Sequence, residues 1–122
     1  MEIDDIVNFD GWSKDMSQWY RNLDLIVIPS RFEGYPLVMI EAMYWGIPIV
    51  ASKVDAMQEI LPPQWLFPEG DSKEMLKCIH NALTQNQCEL IEKNHHHVVE
   101  ELNIKKFQDS FIDSLISCIH SQ

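Results

Sequence analysis

Two carboxylates stand on either side of a glycine-containing turn and the start of an apolar helix. Glu33 belongs to the turn Ser30-Arg31-Phe32-Glu33-Gly34-Tyr35-Pro36. Glu41 is the only charged residue of the segment Leu37-Val38-Met39-Ile40-Glu41-Ala42-Met43-Tyr44-Trp45. A carboxylate in such a helix is costly if buried alone, so Glu41 faces solvent, a partner or a ligand. It lies one turn in, roughly 6 Å along the axis from Leu37. The free N–H groups of the helix start favour anions such as phosphate. Gly34 lets a ligand come close to the backbone. This corner therefore offers anion-binding amides flanked by two carboxylates that accept from hydroxyl groups. A ligand with both phosphate and many hydroxyls, such as a nucleoside diphosphate sugar, uses all of them. The alternative is a solvated loop residue and a helix-surface residue. A glycosidase acid and nucleophile pair is a third reading, but no other residue suggests a glycan cleft.

The elements that position this corner alternate between two apolar periods. Leu25-Ile26-Val27-Ile28, stopped by Pro29, reads as a parallel strand covered on both faces. Residues 37–45 read as a helix with Pro36 near its first position and Gly46 just past its end. Residues 47–51 are a second strand, with Pro48 at its start, where a missing N–H does least harm. Residues 55–61 form a short helix ended by Pro62-Pro63, and 65–67 a last strand. Upstream, 6–9 reads as a short strand closed by Asp10-Gly11. Ser13 is the expected N-cap of a helix whose apolar face is Met16, Trp19, Tyr20 and Leu23. Downstream, Asp71-Ser72-Lys73-Glu74 resembles a capping box. The helix after it is expected to bury Met75, Leu76, Ile79, Ala82 and Leu83. Two more helices follow, over about 87–101 (Leu90, Ile91, Val98, Val99 and Leu102 inward) and about 104–119 (Ile104, Phe107, Phe111, Ile112, Leu115, Ile116 and Ile119 inward). Strands alternating with helices predict a three-layer α/β fold with a parallel sheet. The turn before residue 37 then opens at the carboxyl edge of that sheet, where such folds bind ligands.

Composition narrows the function classes. The chain has 122 residues, one domain's length, with 46% hydrophobic and 23% charged residues, as in ordinary globular proteins. A net charge of −10 repels phosphate backbones and anionic lipid, which argues against nucleic-acid binding and polybasic membrane docking. No apolar run approaches the ~18 residues of a membrane-spanning helix, and the acidic start is not a secretory signal. Cys78, Cys88 and Cys118 are odd in number and widely spaced. They indicate neither a disulfide framework nor a zinc knuckle, and fit a reducing, cytoplasmic location. His95-His96-His97 cannot converge on one metal ion if helical, because consecutive positions point about 100° apart. The four tryptophans are core or interface residues by default.

The run from Pro29 to Met43, continued by Gly46-Ile47-Pro48-Ile49-Val50-Ala51-Ser52 and Glu59-Ile60, closely resembles the C-terminal domain of retaining GT-B glycosyltransferases, the glycosyl transferases group 1. Glu33 and Glu41 match that family's two glutamates separated by seven residues. Phe67-Pro68-Glu69-Gly70-Asp71 resembles a later segment of the family. The resemblance covers about residues 5–84. It implies that Glu33 contacts the donor sugar as the catalytic carboxylate. It implies that the amides of Gly34, Tyr35, Pro36, Leu37 and Val38 hold the sugar and the distal phosphate, and that Glu41 accepts from the ribose hydroxyls. More weakly, it sets Gly11 and Trp12 near the nucleobase. The donor, linked to UDP or GDP, enters as a substrate, with no separate cofactor and no metal.

Family members have two Rossmann-like domains, and this chain resembles the later part of the second. The expectation is therefore a single, incomplete nucleotide-sugar-binding domain over 1–122: a partial Rossmann-like three-layer α/β domain with additional C-terminal helices. An N-terminal acceptor-binding domain or chain is the expected partner, and the chain alone is expected to be inactive. The Arg and Lys that clamp the diphosphate in relatives have no counterpart here. Val54-Asp55-Ala56-Met57-Gln58 stands where relatives usually carry glycine. Residues 6–9, lacking the strands beside them, must pair elsewhere or leave the sheet. The competing reading is a non-catalytic remnant or α/β interaction module. With the partner surface absent, exposed apolar area on the C-terminal helices is expected to favour self-association.

Overall fold

A computed structural model describes Ile3, residues 6–102, and Lys106, Asp109, Ile112, Asp113, Ile116, Ser117 and His120. Three short strands, β1 (Ile26–Ile28), β2 (Ile49–Ser52) and β3 (Leu66–Phe67), form a parallel sheet in the order β1-β2-β3. Ile26 lies opposite Ile49, and Ala51 opposite Leu66. Parallel neighbours need crossovers. Helix α2 (Leu37–Trp45) supplies the first; α3 (Asp55–Ile60) with the 3-10 turn Pro63–Trp65 supplies the second. Helix α1 (Met16–Arg21) precedes the sheet, and α4 (Ser72–Thr84) and α5 (Cys88–Glu101) follow it.

The two-residue period of β2 sorts its side chains between two layers. Ile49 and Ala51 join Tyr20, Met39, Ala42, Met43, Trp65 and Val98 on one side. Val50 joins Phe67, Cys78 and Ala82 on the other. Helix α5 packs across α2 on the first side, and α4 covers the second. This is the three-layer, parallel α/β arrangement expected from the sequence. Helix α2 ends as its sequence predicts. Gly46 takes φ 70°, its N–H donates to Met43 O, and the N–H of Ile47 donates to Ala42 O, a Schellman closure.

Several expectations are corrected. Residues 6–9 form no strand; Ile6, Val7 and Phe9 are exposed, because none of the sheet's strands pairs with them. The N-cap of α1 is Asp15, whose side chain accepts from Gln18 N at 3.1 Å; Ser13 Oγ, two residues earlier, instead accepts from Asp15 N. In α1, Tyr20 is buried but Met16 is exposed. Val27 is exposed between the buried Ile26 and Ile28, so β1 is not covered on both faces. Asp71 caps α4 by accepting from Lys73 N and Glu74 N, but Glu74 pairs with Lys77 instead of reaching back. The stripe that α4 buries is Met75, Cys78, Ile79 and Ala82; Leu76 and Leu83, about 100° further round, are exposed. In α5, Leu90, Ile91 and Val98 pack inward while Val99 and Leu102 are exposed. Ile112 and Ile116 are exposed, and the other inward positions expected of the 104–119 helix lie outside the described residues.

Candidate functional site

Parallel strands that all run the same way bring their following loops to one edge, and the turn from Ser30 to Pro36 lies at that edge after β1. Ser52, the last residue of β2, anchors it. The buried Ser52 Oγ donates to the carbonyl of Ser30 and lies 3.3 Å from that of Ile28. Ser30 Oγ in turn donates to Glu33 Oε1 at 2.9 Å. The backbone N–H of Glu33 donates to Asp55 Oδ2, also at 2.9 Å. Glu33 is thus half-buried and held at both its amide and its carboxylate. Asp55, the first residue of α3, takes φ 42°, a left-handed value that costs a non-glycine residue on the order of 1 kcal/mol. Residues 54–58 therefore contain an aspartate in a glycine-like conformation.

The start of α2 carries no side-chain cap, nor do those of α3 and α5, whereas α1 and α4 are each capped by an aspartate. Pro36 is buried and fixes the direction of the chain into the helix. Its carbonyl accepts from Met39 N and Ile40 N. Proline has no N–H, so Pro36 itself donates nothing, which corrects its inclusion among the donor amides. The first-turn N–H groups of Leu37 and Val38 are the ones a helix leaves over. Gly34 is exposed, and a Cβ built on it would meet no atom within 4 Å. Tyr35 and Leu37 are exposed beside it, and Val38 is half-buried. Partial desolvation of the Tyr35 phenol raises its pKa.

Glu41 is exposed but not free. Its Oε2 accepts from Tyr20 Oη at 2.6 Å. Tyr20 is 1% exposed, packed edge-on against Trp19 with ring centroids 5.2 Å apart. Burial, reinforced by the Glu41 carboxylate, drives the phenol's pKa well above its ordinary value, so it stays a donor at any physiological pH.

Gly11 takes φ 66° in the segment before α1. That segment is tied to the helix by Trp19 Nε1 donating to Asp10 Oδ2 at 3.0 Å. Gly11 lines an open cleft of about 430 Å³ with Asn8, Phe9, Asp10, Ser13, Met16 and Trp19; Trp12 is 81% exposed and does not line it. A smaller cleft of about 220 Å³ lies between Pro29, Arg31, Phe67, Gly70, Asp71, Ser72 and Met75. His95 is engaged elsewhere: its Nδ1, facing an acceptor-only carbonyl, donates to Tyr44 O at 2.7 Å. Among the described residues, no group of three or more His, Cys, Asp or Glu could hold a metal ion. Nor is any helix among them long and apolar enough to cross a membrane.

The structure brings Glu33 and the amides from Gly34 to Val38 onto one turn and helix start, with Glu41 one turn further on. Sequence reasoning missed Ser30, Ser52 and Asp55 as supports of Glu33, and Tyr20 as the partner of Glu41. Tyr20 was legible in principle. A buried tyrosine hydroxyl usually finds a partner, and Glu41 was the one charged group of a helix expected nearby.

A partial Rossmann-like α/β sheet with this loop and helix at its carboxyl edge is the architecture of GT-B enzymes. The chain belongs to the glycosyl transferases group 1 family, whose model matches residues 1–85. It is 44% identical over 57 residues to the lipopolysaccharide core biosynthesis mannosyltransferase LpsB of Rhizobium meliloti (strain 1021), covering 47% of this chain and 16% of that protein. It is 47% identical over 81 residues to an uncharacterized glycosyltransferase of Haemophilus influenzae, covering 63% of this chain and 23% of that one. Among solved structures, the sucrose-phosphate synthase from Thermosynechococcus elongatus superposes with a TM-score of 0.73 at 25% identity, over 88% of this chain and 28% of its own. The chain thus spans less than a quarter of the length of the two sequence relatives.

Proposed function

We propose that this chain supplies the donor side of a retaining glycosyl transfer from a UDP- or GDP-linked sugar to an acceptor hydroxyl. The observation that carries this reading is the uncapped start of α2, set between Glu33 and Glu41 at the carboxyl edge of the sheet, within the residues that match the family. The N–H groups of Gly34, Tyr35, Leu37 and Val38 meet the distal phosphate and the sugar. Glu41 accepts from the ribose hydroxyls, and Glu33 lies against the sugar. In the transfer, the bond from the anomeric carbon to the diphosphate oxygen breaks. A bond to the acceptor oxygen forms on the same face, and the acceptor's proton balances the charge of the released nucleoside diphosphate. Negative charge grows on the leaving phosphate, so amides already aimed there lower the barrier electrostatically.

The acceptor is held by an N-terminal domain, in the same or another chain, and the residues here do not turn over alone. The likeness to LpsB, a lipopolysaccharide core biosynthesis enzyme by name, supports a cell-surface polysaccharide precursor as the class of product. A cytoplasmic setting fits the free thiols of Cys78 and Cys88. Calorimetric titration with UDP and with GDP tests the donor site. Saturable binding of at least one nucleotide, lost in Glu41→Ala, is the expected result. Absence of binding by both nucleotides, or binding indifferent to Glu41, overturns the proposal.

A further inference from the structure

We propose that Tyr20 is a positioning residue for the donor nucleotide: its buried hydroxyl fixes one oxygen of Glu41 so that the other is presented to the ribose. The inference rests on the donor-site reading above and assigns a role to a residue outside the matched turn and helix. Glu41 stands on the exposed side of α2, where an untethered glutamate samples several rotamers and loses that freedom when it binds. Tyr20 removes that cost in advance. Its ring is 1% exposed and locked among the core residues beneath α1 and α2, against the edge of Trp19. Its Oη reaches Glu41 Oε2 at 2.6 Å, the short distance of a charge-assisted O–H···O⁻ bond. A phenol has one proton to give, so the bond occupies one carboxylate oxygen and leaves Oε1 with its lone pairs for ligand hydroxyls.

Helix α1 also carries a second tether. Trp19 Nε1 holds Asp10, and with it the Gly11 turn beside the open cleft. Adjacent residues of one short helix therefore steady two segments, one carrying Glu41 and one carrying Gly11. The short apolar face that roots α1 in the core is thus also a device for ordering the polar groups above it.

The test compares UDP or GDP with its 2′,3′-dideoxy counterpart, in the full 122-residue chain and in Tyr20→Phe. The wild-type chain should prefer the ribose form. Tyr20→Phe should weaken ribose-nucleotide binding roughly three- to tenfold and leave dideoxy binding unchanged. A merely structural role would weaken both equally, and that result overturns the inference, as does an undiminished preference. If the wild-type chain itself shows no preference, the assignment of Glu41 to the ribose fails and the inference falls with it, a result distinct from the other two. Should Tyr20→Phe melt before it can be titrated, Glu41→Asp, too short to reach Tyr20 in place, keeps the question open to measurement. Its preference should fall as well, and an intact preference counts against positioning. In a Glu41→Ala background, Tyr20→Phe should add nothing to the loss of preference; an added loss is contrary to action through Glu41.

Discussion

The Asp55 carboxylate accepts a hydrogen bond from the backbone N–H of Glu33 at 2.9 Å, joining the turn after β1 to the start of α3 after β2. A cost and a gain meet at Asp55. Its φ of 42° is unfavourable for any residue with a Cβ, and its bond holds the backbone of the turn that carries Glu33. Asp55→Ala keeps the backbone strain and removes the acceptor, so it should lose about 1–2 kcal/mol of stability. Asp55→Gly also removes the acceptor but relieves the strain, and should lose less. Urea midpoints for the two variants decide this. A glycine variant no more stable than the alanine variant would show that Asp55 is not strained.

The Tyr20 phenol sets a limit at alkaline pH. Its folded pKa is raised above the value of about 10 that it has in the unfolded chain. Below pH 10 both states carry the proton and the full contribution is present. As pH rises past 10, the unfolded state sheds its proton first and gains free energy that the folded state cannot match. Denaturant midpoints of the wild-type chain should therefore fall between pH 9 and pH 11. Tyr35, also raised by partial desolvation, adds a contribution of the same sign. Tyr20→Phe should be less stable at pH 9 and show a shallower decline. An equal slope in both proteins is the contrary result.

Trp65 and Gln87 form the polar joint between the sheet and α5. The indole Nε1, on a ring 1% exposed, donates to Gln87 Oε1 at 2.9 Å, and Gln87 Nε2 donates to Asn81 O at 3.2 Å. Gln87→Ala leaves a buried indole N–H without an acceptor and should cost about 1–3 kcal/mol. Adding Trp65→Phe removes the orphaned donor, so the double variant should lose less than the sum of the two single losses. Additive losses would mean that the bond contributes nothing specific.

The two described thiols should react differently. Cys88 is exposed and Cys78 is buried, with its pKa raised by burial and by the nearby Glu74 carboxylate. At neutral pH an alkylating reagent should modify Cys88 in the native chain and Cys78 only on unfolding. Peptide mapping after a brief pulse reads both sites. Early modification of Cys78 would show that α4 opens independently of the sheet.

What the sequence revealed depended on whether a residue's fate was set locally. The Pro36 and Gly46 limits of α2, the Asp71 cap and the parallel β-α-β order follow from backbone chemistry near each residue, and all are present. The glutamate pair and the helix start between them were readable because the turn, the helix and the spacing lie within a single continuous segment. The failures needed knowledge of a neighbour. Residues 6–9 have a strand's composition, but no strand of the sheet pairs with them. Val27 has a buried strand's company, yet it is exposed. Asp55 and Tyr20 act across 22 and 21 residues of sequence, and no local pattern announces either contact. Tyr20 looked like one more apolar residue of a helix face, and its hydroxyl was the overlooked part.

The most direct test of the account follows the backbone amides of the turn and the start of α2 by nuclear magnetic resonance during titration with UDP and GDP. The account predicts that one nucleotide shifts the amides of Gly34, Tyr35, Leu37 and Val38 most, with smaller shifts along α1 near Tyr20 and at Gly11. Shifts centred elsewhere, such as around the cleft at Arg31, Gly70 and Ser72, or none with either nucleotide, would contradict it.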